Sequence, residues 1–132
     1  MNHILKNLLL LKIYNHILLM RLSKSHNRWR ENTMLDYVEY TKEEGNEYNH
    51  DIVVYALSTC GFCRRGLAFL RENNIPFNFV YVDKLPFDLK MKIKNDLKEK
   101  FGKRVVFPYL VYDDKDLLVG FTKDEWKAKL LG

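Results

Sequence analysis

The chain has two cysteines in its 132 residues, set three positions apart as Cys60-Gly61-Phe62-Cys63. A cysteine attacks as its thiolate, and a second thiol three residues on is close enough to attack any mixed disulfide the first one forms. Thiol–disulfide exchange is therefore the chemistry this spacing suits. Structural zinc needs four ligands; the pair offers two, and His26 and His50 add no second pair at finger spacing. Two inert buried thiols remain as the plain alternative, and the flanking elements weigh against it.

Ile52-Val-Val-Tyr-Ala-Leu57 is short and β-branched, bounded by His50-Asp51 and Ser58-Thr59, so it predicts a buried strand ending just before the cysteines. Cys63, Leu67 and Leu70 then recur at i, i+4, i+7, with Phe62, Gly66 and Phe69 alongside. That pattern predicts a helix to about Asn73, with Asn74 in the left-handed position after it and Pro76 forbidding continuation. A cysteine opening a helix meets unpaired amides and the positive end of the macrodipole, and Arg64 and Arg65 add cations one turn away. Such settings lower a thiol pKa from about 8.5 to about 3.5–7.5. Cys60 is expected to be the exposed nucleophile and Cys63 the resolving thiol.

The other elements must hold that junction in place. Phe77 to Val82 alternates as a second strand. Leu89, Ile93, Leu97 and Phe101 mark an amphipathic helix among lysines, with Gly102 as its stop. Tyr109–Tyr112 and Leu117–Val119 pair as a hairpin through a turn at Asp113-Asp114-Lys115-Asp116. Thr122-Lys-Asp-Glu125 fits a capping box for a last helix that buries Trp126 and Leu130. The order β-α-β-α-β-β-α predicts an α/β fold: a four-stranded mixed sheet with three helices and a right-handed parallel crossover.

Composition narrows the partners. Residues 1–33 hold six Lys/Arg against one acid, which is the whole net charge of +5, and the remainder balances 16 basic against 16 acidic residues. The folded part thus gives no electrostatic case for nucleic acid. The leucine-rich stretch from Ile4 to Leu22 is broken by Lys6, Lys12 and Arg21, and a lysine at the centre of a span costs roughly 2.5–3.5 kcal/mol. Its apolar run is minimal for a signal peptide, and its polar residues scatter round the helix circumference, so neither a span, a leader nor an interfacial helix is expected. Residues 1–33 also lack Ala, Val, Gly, Pro, Asp and Phe. The segment 1–50 is expected to be an N-terminal extension, with 1–33 either disordered or lying upstream of a physiological start at Met34, and 35–50 a polar, poorly ordered lead-in. The domain is expected to span 51–132. With its cysteines in one local motif rather than a stapling framework, a cytoplasmic protein is expected.

Tyr55-Ala-Leu-Ser-Thr-Cys-Gly-Phe-Cys63, Phe107-Pro108 and Val119-Gly-Phe-Thr-Lys-Asp124 together resemble the glutaredoxin family. The resemblance covers residues 51–132 and implies a thioredoxin-like fold. It also implies a cis peptide bond before Pro108, beside the cysteines, and a redox-active disulfide with no other cofactor or metal. Phe62, Arg64, Phe107, Pro108, Phe121 and Thr122 are the residues expected to bind substrate, with the backbone of Phe107 free to pair an extended segment.

Two departures bear on the reductant. Glutathione-using members usually carry lysine where this chain has Leu57, and a Gly-Gly-Cys-Asp-like run where it has Val119-Gly-Phe-Thr122. The second is more similar to the glutaredoxin-like hydrogen donors of ribonucleotide reductase, which are reduced by a thioredoxin-reductase-type enzyme. Oxidised proteins are the expected substrates, with that enzyme or a low-molecular-weight thiol as reductant and a monomer as the working unit. The alternatives are a glutathione-dependent glutaredoxin or an iron–sulfur-binding module. An arsenate-reductase-like protein would need a helical insertion that residues 84–107 are too short to hold. Phe69, Phe77, Phe79, Phe101 and Trp126 fit core periodicity, while Tyr55, Phe62, Phe107 and Phe121 are candidates for a substrate-facing rim.

Overall fold

Ile52–Ala56, the strand part of the β-branched run, is buried throughout because sheet neighbours and helices cover both of its faces, as a continuous apolar strand requires. The computed structural model describes residues 35–132, so the expectations for residues 1–33 lie outside the described residues. The strands are β1 (Thr41–Glu43), β2 (Ile52–Ala56), β3 (Phe77–Tyr81), β4 (Tyr109–Tyr112) and β5 (Asp116–Val119); the helices are α1 (Gly61–Glu72), α2 (Phe87–Phe101) and α3 (Lys123–Leu131). The sheet order is β1-β3-β2-β4-β5, with β2 and β3 parallel and every other pair antiparallel.

The thioredoxin-like glutaredoxin fold is as expected, except that the sheet has five strands rather than four. The extra strand, β1, comes from the stretch expected to be a polar lead-in. Thr41-Lys42-Glu43 has no apolar alternation to announce it; it pairs because β3 offers an open ladder, with Thr41 opposite Phe79 and Glu43 opposite Phe77. Anchors far along the chain hold it there. The Arg71 guanidinium of α1 donates to Glu43 at 2.6 Å. Val38 is buried, the Tyr40 and Tyr55 hydroxyls lie 2.7 Å apart, and Tyr37 donates to Asp96 of α2 at 2.5 Å.

Alternation along β2 sorts the core into two layers. Ile52, Val54 and Ala56 face α1 and α3, packing with Leu67, Leu70 and Trp126; Val53 and Tyr55 face α2, packing with Ile93, Leu97 and Val38. Tyr55 is thus wholly buried on the α2 side, so it is not part of a substrate rim. Phe69, Phe77, Phe79 and Trp126 are core, as their spacing predicts.

Helix ends follow the expected signals in two cases of three. Asn74 takes a φ of 54° after α1, and Gly102 a φ of 70° after α2, where its N–H donates to Lys98 O at 2.7 Å. Thr122 does precede α3, but its side chain makes no capping bond, so the expected capping box is absent. Backbone starts that helix instead, the Trp126 N–H donating to Thr122 O at 3.0 Å, and Asp124 and Glu125 complement the dipole in its first turn. Among the described residues no helix is long and apolar enough to cross a membrane.

Candidate functional site

β2 delivers the chain to the open end of the sheet, where it turns through Leu57–Thr59 into α1. Cys60 is the N-cap of α1, with extended φ and ψ of −92° and 123°, so its sulfur stands where Ser or Asp would cap another helix. The Cys63 N–H donates to Cys60 Sγ at 3.3 Å, and the Leu57 N–H donates to Cys63 Sγ at 3.4 Å. No acidic residue in the first turn of α1 offsets the positive helix end. Both thiols are free, Cys60 half-buried and Cys63 fully buried.

These surroundings divide the two sulfurs. Burial opposes ionisation of Cys60, but the Cys63 thiol, the N–H groups of Cys63 and Phe62 and the charge of Arg65 outweigh it and bring its pKa below the ordinary thiol value. Burial pushes Cys63 up to about 12, reinforced by its hydrogen bond with Cys60 and the nearby Cys60 and Asp83 charges. Cys60 is the thiol poised to attack, and Cys63 is the one held in reserve.

The cis peptide bond between Phe107 and Pro108 is present. Tyr109 pairs with Tyr55, so the same register continued sets Pro108 beside Ala56 and Phe107 beside Leu57, at the root of the cysteine turn. Gly120 closes the other side, its N–H donating to Pro108 O at 2.8 Å from a φ of 75° that suits glycine. Trp126 locks this wall to the helix. Its Nε1 donates to Gly120 O at 3.0 Å, its ring lies 5.0 Å from that of Phe121, and a Cβ on Gly66 of α1 would lie 2.9 Å from Trp126 Cη2. Glycine at the middle of α1 lets that indole approach.

Of the residues expected to bind substrate, Phe62 is 56% exposed beside Cys60. Phe107 and Phe121 are half-buried and Pro108 is buried. Arg64 and Thr122 are exposed. Arg64 joins the motif through its backbone, its N–H donating to Cys60 O at 3.0 Å. The neighbouring Arg65 supplies the cation, its guanidinium 4.5 Å from the centre of the Phe62 ring. The i, i+3 spacing of Phe62 and Arg65 is a signal for that choice in the sequence itself. Trp126, Ser58 and Asp83 also shape the site. Gly66 inside an apolar helix face is a signal for the first, but nothing local announces the Ser58–Asp83 contact.

A strand, a cysteine-capped helix, a parallel crossover and a cis-proline hairpin define a thioredoxin-fold thiol–disulfide oxidoreductase. The glutaredoxin family profile matches residues 52–117, and the chain belongs to that family. Among solved structures it is similar to the glutaredoxin of Archaeoglobus fulgidus, with 27% identity and a TM-score of 0.54 over 66% of this chain and 98% of that one. It is also similar to Methanosarcina acetivorans methanoredoxin, with 29% identity and a TM-score of 0.54 over 61% and 83% of the two chains. The glutaredoxin of Methanosarcina mazei Go1 shares the fold at 24% identity, with a TM-score of 0.58 over 70% and 88%. No curated protein matches the chain.

Proposed function

We propose that the protein reduces disulfides of oxidised proteins through a Cys60/Cys63 dithiol cycle and that glutathione is not its preferred reductant. The observation that carries the cycle is the Cys63 N–H held on Cys60 Sγ at the head of α1, with the second thiol buried behind it. The Cys60 thiolate attacks one sulfur of the substrate disulfide and forms a mixed disulfide, and the expelled substrate thiolate takes a proton from solvent. Cys63 then loses its proton and attacks Cys60 Sγ, releasing the second substrate thiol and leaving a Cys60–Cys63 disulfide. Two electrons pass to the substrate, and an external dithiol or thiol returns them. Phe62, Phe107 and Phe121 border the substrate, Pro108 shapes the wall beside it, and Arg64 and Thr122 lie at its margins.

The reductant reading rests on Leu57 and Thr122. Leu57 is half-buried between the two core layers and has no charge to hold a glutathione carboxylate. A hydrogen bond to a charged group contributes about 1.5–3 kcal/mol, which is roughly one to two decades of affinity. A thioredoxin-reductase-type enzyme, or a thiol other than glutathione, is the reductant this site suits, working on a monomer in the cytoplasm.

The test is the steady-state rate against glutathione concentration for wild type and for Leu57→Lys with Thr122→Asp. The double variant should gain at least several-fold in glutathione-dependent turnover with its reduction by a dithiol unchanged. A wild type that already turns over as fast with glutathione would overturn this reading.

A further inference from the structure

Asp83 follows β3 in a single 3₁₀ turn, Val82–Lys84, and its carboxylate takes two hydrogen bonds from one residue 25 positions earlier. The Ser58 N–H donates to it at 2.8 Å, and the Ser58 hydroxyl donates to its other oxygen. Ser58 belongs to the turn between β2 and the cysteines, which the Cys60 N–H closes by donating to Leu57 O at 3.3 Å. The same turn presents the Leu57 N–H to Cys63 Sγ. One carboxylate from the turn after the neighbouring strand therefore fixes the segment that carries both the start of α1 and the donor to the second sulfur.

We propose that Asp83, held on Ser58, is a positioning residue for the second step of exchange, fixing the Leu57–Cys60 turn so that Cys63 is aimed at the Cys60 sulfur of the mixed disulfide. This rests on the dithiol cycle proposed above.

The carboxylate also acts through its charge, in the opposite sense. In the free dithiol, burial and Cys60 do most to keep Cys63 protonated, and Asp83 adds to them. Once Cys60 is tied up in a mixed disulfide its thiol and thiolate are gone, leaving burial and Asp83 against ionisation and the Leu57 N–H in favour. Asp83 thus aims the resolving sulfur while holding back its thiolate. An amide at this position separates the two effects: its oxygen still accepts from the Ser58 N–H, and the negative charge is removed.

The experiment treats the full chain at low pH with a symmetric chromophoric aromatic disulfide, so that Cys60 takes one aromatic thiol in disulfide linkage and expels the other, then removes the expelled thiol, jumps the pH and follows release of the bound one. Cys63 gives up its proton to solvent, attacks Cys60 Sγ and expels the coloured thiolate, so release reports the second step alone. Asp83→Ala and Ser58→Ala should each slow release about three- to tenfold on the high-pH plateau, where Cys63 is ionised in every variant, the loss expected from an exposed bond to a carboxylate. Asp83→Asn should stay near the wild-type plateau while its pH midpoint moves down. The first step, loading of Cys60, should slow less than release does in all three. Wild-type release from both alanine variants, or an Asp83→Asn midpoint that stays put or rises, would overturn the proposal; Ser58→Ala decides it should Asp83→Ala fail to fold. Label found on Cys63 rather than Cys60 would instead overturn the dithiol cycle itself.

Discussion

The cysteine junction, residues 57–63, follows the inner strand β2, and the arm, residues 35–43, ends in the edge strand β1; the two are held in opposite ways. In the junction most bonds are local, from Cys63 to Cys60 and from Cys60 to Leu57, with Asp83 as the distant tie. In the arm the main ties span the chain, from Tyr40 to Tyr55, Glu43 to Arg71 and Tyr37 to Asp96. Local bonds survive while the helix survives, and they leave Phe62 exposed and Cys60 accessible for chemistry. Long-range bonds require the whole domain. The difference implies that substitutions in the junction change reactivity first, while damage to the arm changes stability first.

The largest effect should come from breaking the junction at its sulfur. Cys60→Ser should abolish disulfide reduction, whereas Cys63→Ser should accumulate as a mixed disulfide with substrate, a mass increase that mass spectrometry reads directly. Trapping through Cys63 in the Cys60→Ser protein would reverse the two roles.

Removing the arm should come next. A chain starting at Met34 is expected to keep its fold and full activity. One starting at Asp51 loses Val38, whose burial contributes about 1.5–3 kcal/mol, and strips the buried Tyr55 hydroxyl of its partner at about 1–3 kcal/mol. Its thermal midpoint should fall by roughly 10 °C or more. Equal midpoints for the two chains would show that the arm does not support the domain.

A single-atom version sharpens the same point. Tyr40→Phe removes the oxygen that faces Tyr55 and accepts from the Leu35 N–H at 2.9 Å. It should cost about 1–2 kcal/mol in denaturant unfolding while leaving the alkylation rate of Cys60 unchanged.

The smallest effect concerns charge at the junction. The Cys60 pKa is lowered, so its alkylation should remain fast at pH values below the ordinary thiol range and decline only as pH falls through that lowered value. Arg65→Gln removes a cation that lowers it and should move the midpoint up by a few tenths of a pH unit, less at high salt. Arg64→Gln should leave it in place. The reverse ranking would assign the activating charge to Arg64.

The comparison also explains how far the sequence could be read. The cysteine pair, the strand before it and the stops at Asn74 and Gly102 obey short-range rules of periodicity and backbone conformation, and all were legible. The cis bond before Pro108 was legible through resemblance alone, since a proline by itself leaves the isomer open. β1 was not, because a three-residue polar strand has no periodicity and exists only where β3 and the tyrosines receive it. Asp83 escaped for the same reason, its partner lying 25 residues away. Between Arg64 and Arg65 the deciding factor is direction: a helical side chain leans back toward the N-terminus and meets the residue three or four before it. Arg65 therefore reaches Phe62.

β1 has one more consequence, for crowded solutions. Without it, β3 would present a row of unpaired amides and carbonyls beside Phe77, Phe79 and Tyr81, a template for strand addition by a second molecule. The covering strand is three residues long and polar, and Lys42 pairs with Glu44 at 3.4 Å just beyond its end. Short, charged borders discourage further growth of a sheet. By occupying that ladder, the arm puts a short, charged border where an aromatic strand edge would otherwise meet a second molecule.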